Sequence, residues 1–242
     1  MDFSAPELVG AAAIAVAAGV VRGITGFGGA MVMAPPLALL FGPVLAVPVV
    51  LLLESIAAAP MLISTHSEVR WPVIGPIVAA ACVTVPLGGF LLVSADPQWL
   101  RRAIAAIVIV FSLLLLLGWR YARAPRPLAG CVLGALAGAM LGATSIGGPP
   151  VILYLLAGPD KVGTTRANLT LFVAASSLAG IVMLSVAGVL GLSALVAGAF
   201  LAPGYYLGLV AGVRLFSRFN DQRFRQFTLL LMITSSAGIL IA

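Results

Sequence analysis

Gly19-Val-Val-Arg-Gly-Ile-Thr-Gly-Phe-Gly-Gly29 and Gly138-Ala-Met-Leu-Gly-Ala-Thr-Ser-Ile-Gly-Gly148 are two versions of one motif. At a constant offset of 119, Gly19, Gly23, Thr25, Gly28 and Gly29 fall on Gly138, Gly142, Thr144, Gly147 and Gly148. A gap of three residues then brings Gly42-Pro43 onto Gly158-Pro159. Near the end of each half Gln98-Trp-Leu-Arg101 lines up with Gln222-Arg-Phe-Arg225, and Pro86 and Pro203 hold similar places between the anchors. Such self-similarity sets the architecture. The chain reads as a duplication, with one repeat at 1–122, a second at 123–242 and a linker near 120–127.

The surroundings of the motif are hydrocarbon-like. Of 242 residues 62% are hydrophobic and 8% charged, with mean hydropathy +1.20, against about a quarter charged in soluble domains. Stretches free of Asp, Glu, Lys, Arg and His run 23–53, 71–95, 103–119, 127–159, 167–213 and 226–242. About 20 apolar residues cross a bilayer as a helix. The alternation of an outer-membrane barrel is absent, so the expected fold is an all-α, polytopic helical membrane protein. Each repeat reads as a broken or re-entrant first segment plus three plain spans: 6–42, 44–64, 71–94 and 98–119, then 127–158, 163–187, 191–213 and 224–242. That gives about 8 to 10 membrane segments, with Gly-Thr-rich breaks at 23–29 and 142–148 dividing each first segment into two short helices.

Loop charge selects a topology. If each broken segment folds back, Arg70, Arg120, Arg123, Arg126, Lys161, Arg166, Arg214, Arg218, Arg223 and Arg225 share one face, and only Arg101 and Arg102 the other. If each crosses once, the split is eight to four. The positive-inside rule prefers the first arrangement, which inverts the repeats relative to each other and puts the N-terminus outside. The net charge of +6 is then a topology signal rather than a nucleic-acid footprint. The acidic start lacks the positive region of a signal peptide. Cys82 and Cys131 form no ligand-spaced pair and read as packed thiols.

Non-helical backbone at membrane depth must line protein or a wet cavity, which makes the two breaks the candidate site. In each, Gly-Gly opens a new short helix, whose N-terminus offers N–H donors and partial positive charge to an anion. The candidate binding residues are Thr25, Gly28, Gly29, Thr144, Ser145, Gly147, Gly148 and Pro149. The same glycines also suit close helix packing. Ala30-Met31 stands where the second half has Pro149-Pro150, so the half-helices need not contribute equally. Glu54, near the middle of a span, is the candidate coupling group. It either pairs with Arg22, titrates, or stays protonated against a hydroxyl. Arg22 faces an anion at the first break or snorkels to an interface, and Tyr154, Tyr205 and Tyr206 line the cavity or form an interfacial belt.

The two glycine motifs, together with Arg166-Ala-Asn-Leu-Thr170, resemble the TauE/SafE sulfite exporter family over essentially the whole chain. The resemblance implies a transporter, typically an exporter, of sulfite or small organosulfur anions across the bacterial inner membrane. Arg166, at the start of a span beside Asn168, serves either to steer anions or to anchor topology, and both join Arg22 among the candidate binding residues. The leading expectation is therefore a secondary exporter working by alternating access. The alternative is a proton-coupled importer of a small carboxylate or sulfur compound, and a non-transporting scaffold is a weaker third. One histidine, His66, and two isolated cysteines make no acid-base or metal constellation. No enzyme activity, cofactor or metal is expected. The expected partners are a small anion and the lipid bilayer, with homodimerisation left open.

Overall fold

The protein is described by a computed structural model, covering residues 5–118, 127–156, 158, 160–216 and 236. The regular elements are α1 (Ala5–Thr25), α2 (Gly29–Phe41), α3 (Pro43–Thr65), α4 (Trp71–Ser94), α5 (Pro97–Leu116), α6 (Pro127–Thr144), α7 (Gly148–Leu155), α8 (Val162–Val186) and α9 (Leu192–Phe216). A 3-10 turn, His66–Glu68, links α3 to α4. Among the described residues there is no strand, and seven helices are long and apolar enough to cross a membrane. The residues of the linker at 120–126, the second anchor at 222–225 and, save residue 236, the expected last span at 224–242 lie outside the described residues.

The helix starts follow the punctuation of the sequence. Proline occupies the first turn of α3, α4, α5 and α7, where its missing N–H costs nothing. Asp96 caps α5 by accepting from the N–H groups of Gln98 and Trp99. One expectation is corrected. The breaks do not divide two segments into pairs of short helices. α1 and α6 are 21 and 18 residues long, roughly 30 Å each. Only the helices after the breaks are short, at 13 and 8 residues. Each long helix runs as far as its threonine, and the left-handed backbone of the next residue, Gly26 or Ser145, is where it ends.

Packing explains half of the repeated motif. Lipid tails are as apolar as leucine, so helices associate in a bilayer by close backbone approach at small residues. A Cβ built on Gly19 or Gly23 of α1 would stand 2.1 or 2.3 Å from the carbonyls of Tyr205 and Leu209 on α9. On α6, Gly138 and Gly142 approach the carbonyls of Ala81 and Val85 on α4 to 2.1 and 2.2 Å by the same construction. Thr84 of α4 adds a hydrogen bond to the Ala135 carbonyl at 2.7 Å. The pairing is reciprocal. The first helix of each half packs on the second plain helix of the other, while α3 and α8 meet between them.

Large apolar side chains cover the outside, with Val83, Phe90 and Leu207 respectively 77%, 72% and 68% exposed. So much apolar surface belongs against lipid. Together with the seven spans it makes the chain a multi-pass membrane protein.

Candidate functional site

The two breaks are built alike. Thr25 donates to the Val21 carbonyl at 2.8 Å and accepts from the Phe27 N–H at 3.3 Å. Thr144 donates to the Met140 carbonyl at 2.7 Å and accepts from the Ile146 N–H at 3.2 Å. Each threonine therefore closes its turn and has its hydroxyl occupied by backbone. The residue after it takes a left-handed backbone, Gly26 at φ 78° and Ser145 at φ 62°. Glycine adopts this freely. A residue with a side chain does so at a cost of roughly 1–2 kcal/mol, and such strain clusters at functional positions. Ser145 is buried and lines the cavity between the breaks.

That cavity brings the halves together. Phe27 and Gly28 reach it from the first break, Ser145, Gly147, Gly148 and Pro149 from the second, and Ser177 from α8. It offers about 20 Å³ to the centre of a water-sized sphere, room for roughly one water. Its charges are Arg22 and Glu54.

Arg22 is fully buried. Its Nη1 donates to the Gly26 carbonyl at 2.7 Å, tying the side chain to the break it precedes. Its Nε lies 3.4 Å from Oε2 of Glu54, at ion-pair distance, yet neither Nε nor Nη2 has a hydrogen-bond partner among the described residues. Two donors of a buried guanidinium are thus unmet beside a cavity. Such groups are uncommon, and each needs an explanation. Glu54 is 3% exposed, and its Oε1 accepts from the Tyr205 hydroxyl at 2.8 Å. Glu54 thus meets both partners that the sequence left open, the Arg22 guanidinium and a hydroxyl, and Arg22 is buried rather than turned to an interface.

The helix that follows the first break starts against the same carboxylate. A Cβ on Gly29 would lie 2.3 Å from Glu54 Oε1 and 2.5 Å from the Tyr205 hydroxyl oxygen. Only glycine lets the first turn of α2 approach so closely. Gly29, Ala30 and Met31 all carry N–H groups at this turn. In α7 Pro149 and Pro150 have none, which leaves Gly148 as the donor of its first three residues. The two half-helix starts are therefore unequal, and the stronger one faces Glu54.

The remaining candidates do other work. Arg166 donates to the Gly23 carbonyl at 2.7 Å and lies along Gly26, bracing the end of α1. Asn168 is buried and accepts from the Arg70 N–H at 2.9 Å, anchoring the start of α4 on α8. Arg70 also pairs with Asp160 nearby. Neither Arg166 nor Asn168 lines the cavity, and nor do Thr25, Thr144 and Gly29.

Ser177 is an addition to the sequence-based set, whereas Tyr205, read there as a cavity or belt residue, is buried against Glu54. Tyr205 had a legible signal. It lies three and seven residues before Gly208 and Gly212, whose close approach to the Val16 and Val20 carbonyls makes that stripe the α1-facing side of α9. Its neighbour Tyr206 is 44% exposed. No repeated motif marks Ser177. Among the described residues no cluster of metal-ligating side chains occurs, and both cysteines are free thiols.

A polytopic helical bundle with a buried ion pair beside two broken segments has the parts of a membrane transporter. The family model described as sulfite exporter TauE/SafE matches residues 11–239, and the chain belongs to that family. No curated protein and no solved structure matches it.

Proposed function

We propose that the protein exports a small sulfur-containing anion, sulfite or an organosulfonate, across the bacterial inner membrane by alternating access. The observation that carries this reading is the fully buried Arg22, whose Nε and Nη2 have no hydrogen-bond partner among the described residues beside the cavity between the breaks. Membership of the TauE/SafE family supplies the substrate class. Arg22 provides the charge, the first turn of α2 provides N–H donors, and Ser177 provides a hydroxyl, as does Ser145 once its hydrogen turns from the Thr144 carbonyl that it bonds at 2.5 Å. Such charge-assisted bonds suit an oxyanion.

Sulfite has four heavy atoms, and the cavity holds roughly one water. Loading therefore requires the helices to part. The reciprocal packing supports inverted repeats, with the α1–α9 pair moving against the α4–α6 pair about α3 and α8. The ten-to-two division of loop Lys and Arg supports a cytoplasmic positive face and an outside N-terminus.

The test is efflux from liposomes containing the purified full chain and loaded with sulfite. Gly148 has no atom within 4 Å of an added Cβ. Gly148→Leu adds four heavy atoms, as many as sulfite has, at the cavity and should compete with the anion for the space that opens when the helices part. Wild-type efflux above protein-free liposomes, lost in a folded Gly148→Leu variant, is the expected result. No wild-type efflux overturns the reading, and efflux unchanged in Gly148→Leu moves the site elsewhere.

A further inference from the structure

An anion already occupies part of this site. The Glu54 carboxylate has the Arg22 guanidinium on one oxygen, the Tyr205 hydroxyl on the other, and the first turn of α2 closed down on it at Gly29. A cation, a hydroxyl donor and a helix N-terminus are what an incoming oxyanion would seek. We propose that Glu54 is a tethered stand-in for the substrate, which keeps the site electrically neutral both empty and loaded. This rests on the anion-carrier reading above.

The charges decide the sequence of events. In the empty site Arg22 and Glu54 cancel. A monovalent anion arriving at Nε and Nη2 adds a second negative charge to the same buried space. Among the described residues that line the cavity nothing positive is left to match it. Arg22 comes from α1 and Tyr205 from α9. α2 presents backbone, while α8 and the second break present Ser177 and Ser145. Arg166, the next cation in this region, is bonded to the Gly23 carbonyl.

An unpaired carboxylate in such surroundings neutralises rather than stays ionised. Glu54 therefore yields Arg22 to the ligand and takes one proton from water in the open access path. The loaded site then holds one guanidinium cation, one substrate anion and one neutral carboxylic acid. On the far side the anion leaves, Glu54 releases its proton to the same side, and the Arg22 pair re-forms. One proton accompanies each monovalent anion. No net charge crosses the hydrocarbon in either half of the cycle, which is the arrangement least costly in a bilayer.

The consequence is that wild-type flux ignores the membrane potential, and that removing the carboxylate makes it obey. Without Glu54 the empty site carries one positive charge and the loaded site none.

The test uses the full chain in liposomes with methanesulfonate, an anion whose single charge does not change with pH. A potassium gradient with valinomycin sets about 100 mV, and a trapped dye reports internal pH. The wild type should reach the same accumulation ratio with and without the potential, while internal pH follows the anion. Glu54→Gln should shift its ratio by up to about fifty-fold under the same potential, with no pH change. Wild-type accumulation that follows the potential overturns the proposal, and so does proton movement that persists in Glu54→Gln. Should Glu54→Gln fail to fold, the wild-type potential and pH records decide alone. Sulfite flux without methanesulfonate flux also overturns it, because a site matched to one negative charge must accept this one. Absence of flux for both anions overturns the carrier reading itself and takes this inference with it.

Discussion

Gly29 holds its backbone so near Glu54 that a methyl group there would stand 2.3 Å from the carboxylate oxygen. The approach joins the start of α2 to the middle of α3, and it is specific to one half. Gly148, the matching glycine, faces open space.

The two glycines should therefore respond differently to alanine. Gly29→Ala meets the Glu54 carboxylate and the Tyr205 hydroxyl, with the Cβ of Arg22 at 3.3 Å, and the carboxylate is the group free to swing aside. The protein should stay folded and lose the carboxylate's placement. Loss of one such positioned interaction is worth about 1–3 kcal/mol, so sulfite flux should fall about tenfold or more. Gly148→Ala should stay within about twofold of wild type. Flux in liposomes, with monodispersity in detergent as the folding control, checks both.

Removing one member of the buried pair leaves the other charge alone. Arg22→Gln should lose about 3–5 kcal/mol of stability. Arg22→Gln combined with Glu54→Gln should recover most of that while still carrying no sulfite. Denaturation midpoints of the wild type, both single variants and the double variant complete the cycle.

Ser145 adopts the conformation that its counterpart Gly26 holds without strain. Ser145→Gly should be at least as stable as wild type and should bind sulfite more weakly, raising KM. A drop in stability with unchanged KM would mean that the hydroxyl serves only the fold.

Asn168 provides the contrast. Its side-chain carbonyl holds the Arg70 N–H away from the cavity. Asn168→Ala should cost about 1 kcal/mol of stability and leave KM for sulfite unchanged. Parallel thermal-shift and flux measurements separate the two effects.

The spans were legible because hydropathy alone marks them, and the expected ends of α3, α4, α5 and α8 lie within a few residues of those observed. The breaks were legible because Gly-Gly after threonine recurs at a fixed offset. Which glycine does what was not. Gly19, Gly23, Gly138 and Gly142 serve helix contact, whereas Gly28, Gly147 and Gly148 reach the cavity, and the difference depends on which helix lies opposite. Thr25 and Thr144 look like ligand donors in one dimension, but their hydroxyls are drawn back to carbonyls four residues earlier. The partnership of Arg22 and Glu54 was one of several readings open in the sequence. The α1–α9 contact places Tyr205 beside the α1 break, and Tyr205 then reaches Glu54.

The reciprocal packing also governs how the chain is made. Among the described helices α1 packs most closely on α9, whose first residue, Leu192, follows the end of α1 at Thr25 by most of the chain. Ribosomes add roughly 5–20 residues per second, so α1 waits about ten to thirty seconds in the bilayer with Gly19 and Gly23 uncovered. α4 and α6 are separated by one helix and meet far sooner. Biogenesis therefore begins with the pair in the middle of the chain, and the N-terminal helix is the last early part to be claimed. A chaperone or insertase that shelters a lone glycine-faced helix would act on α1 before any other span.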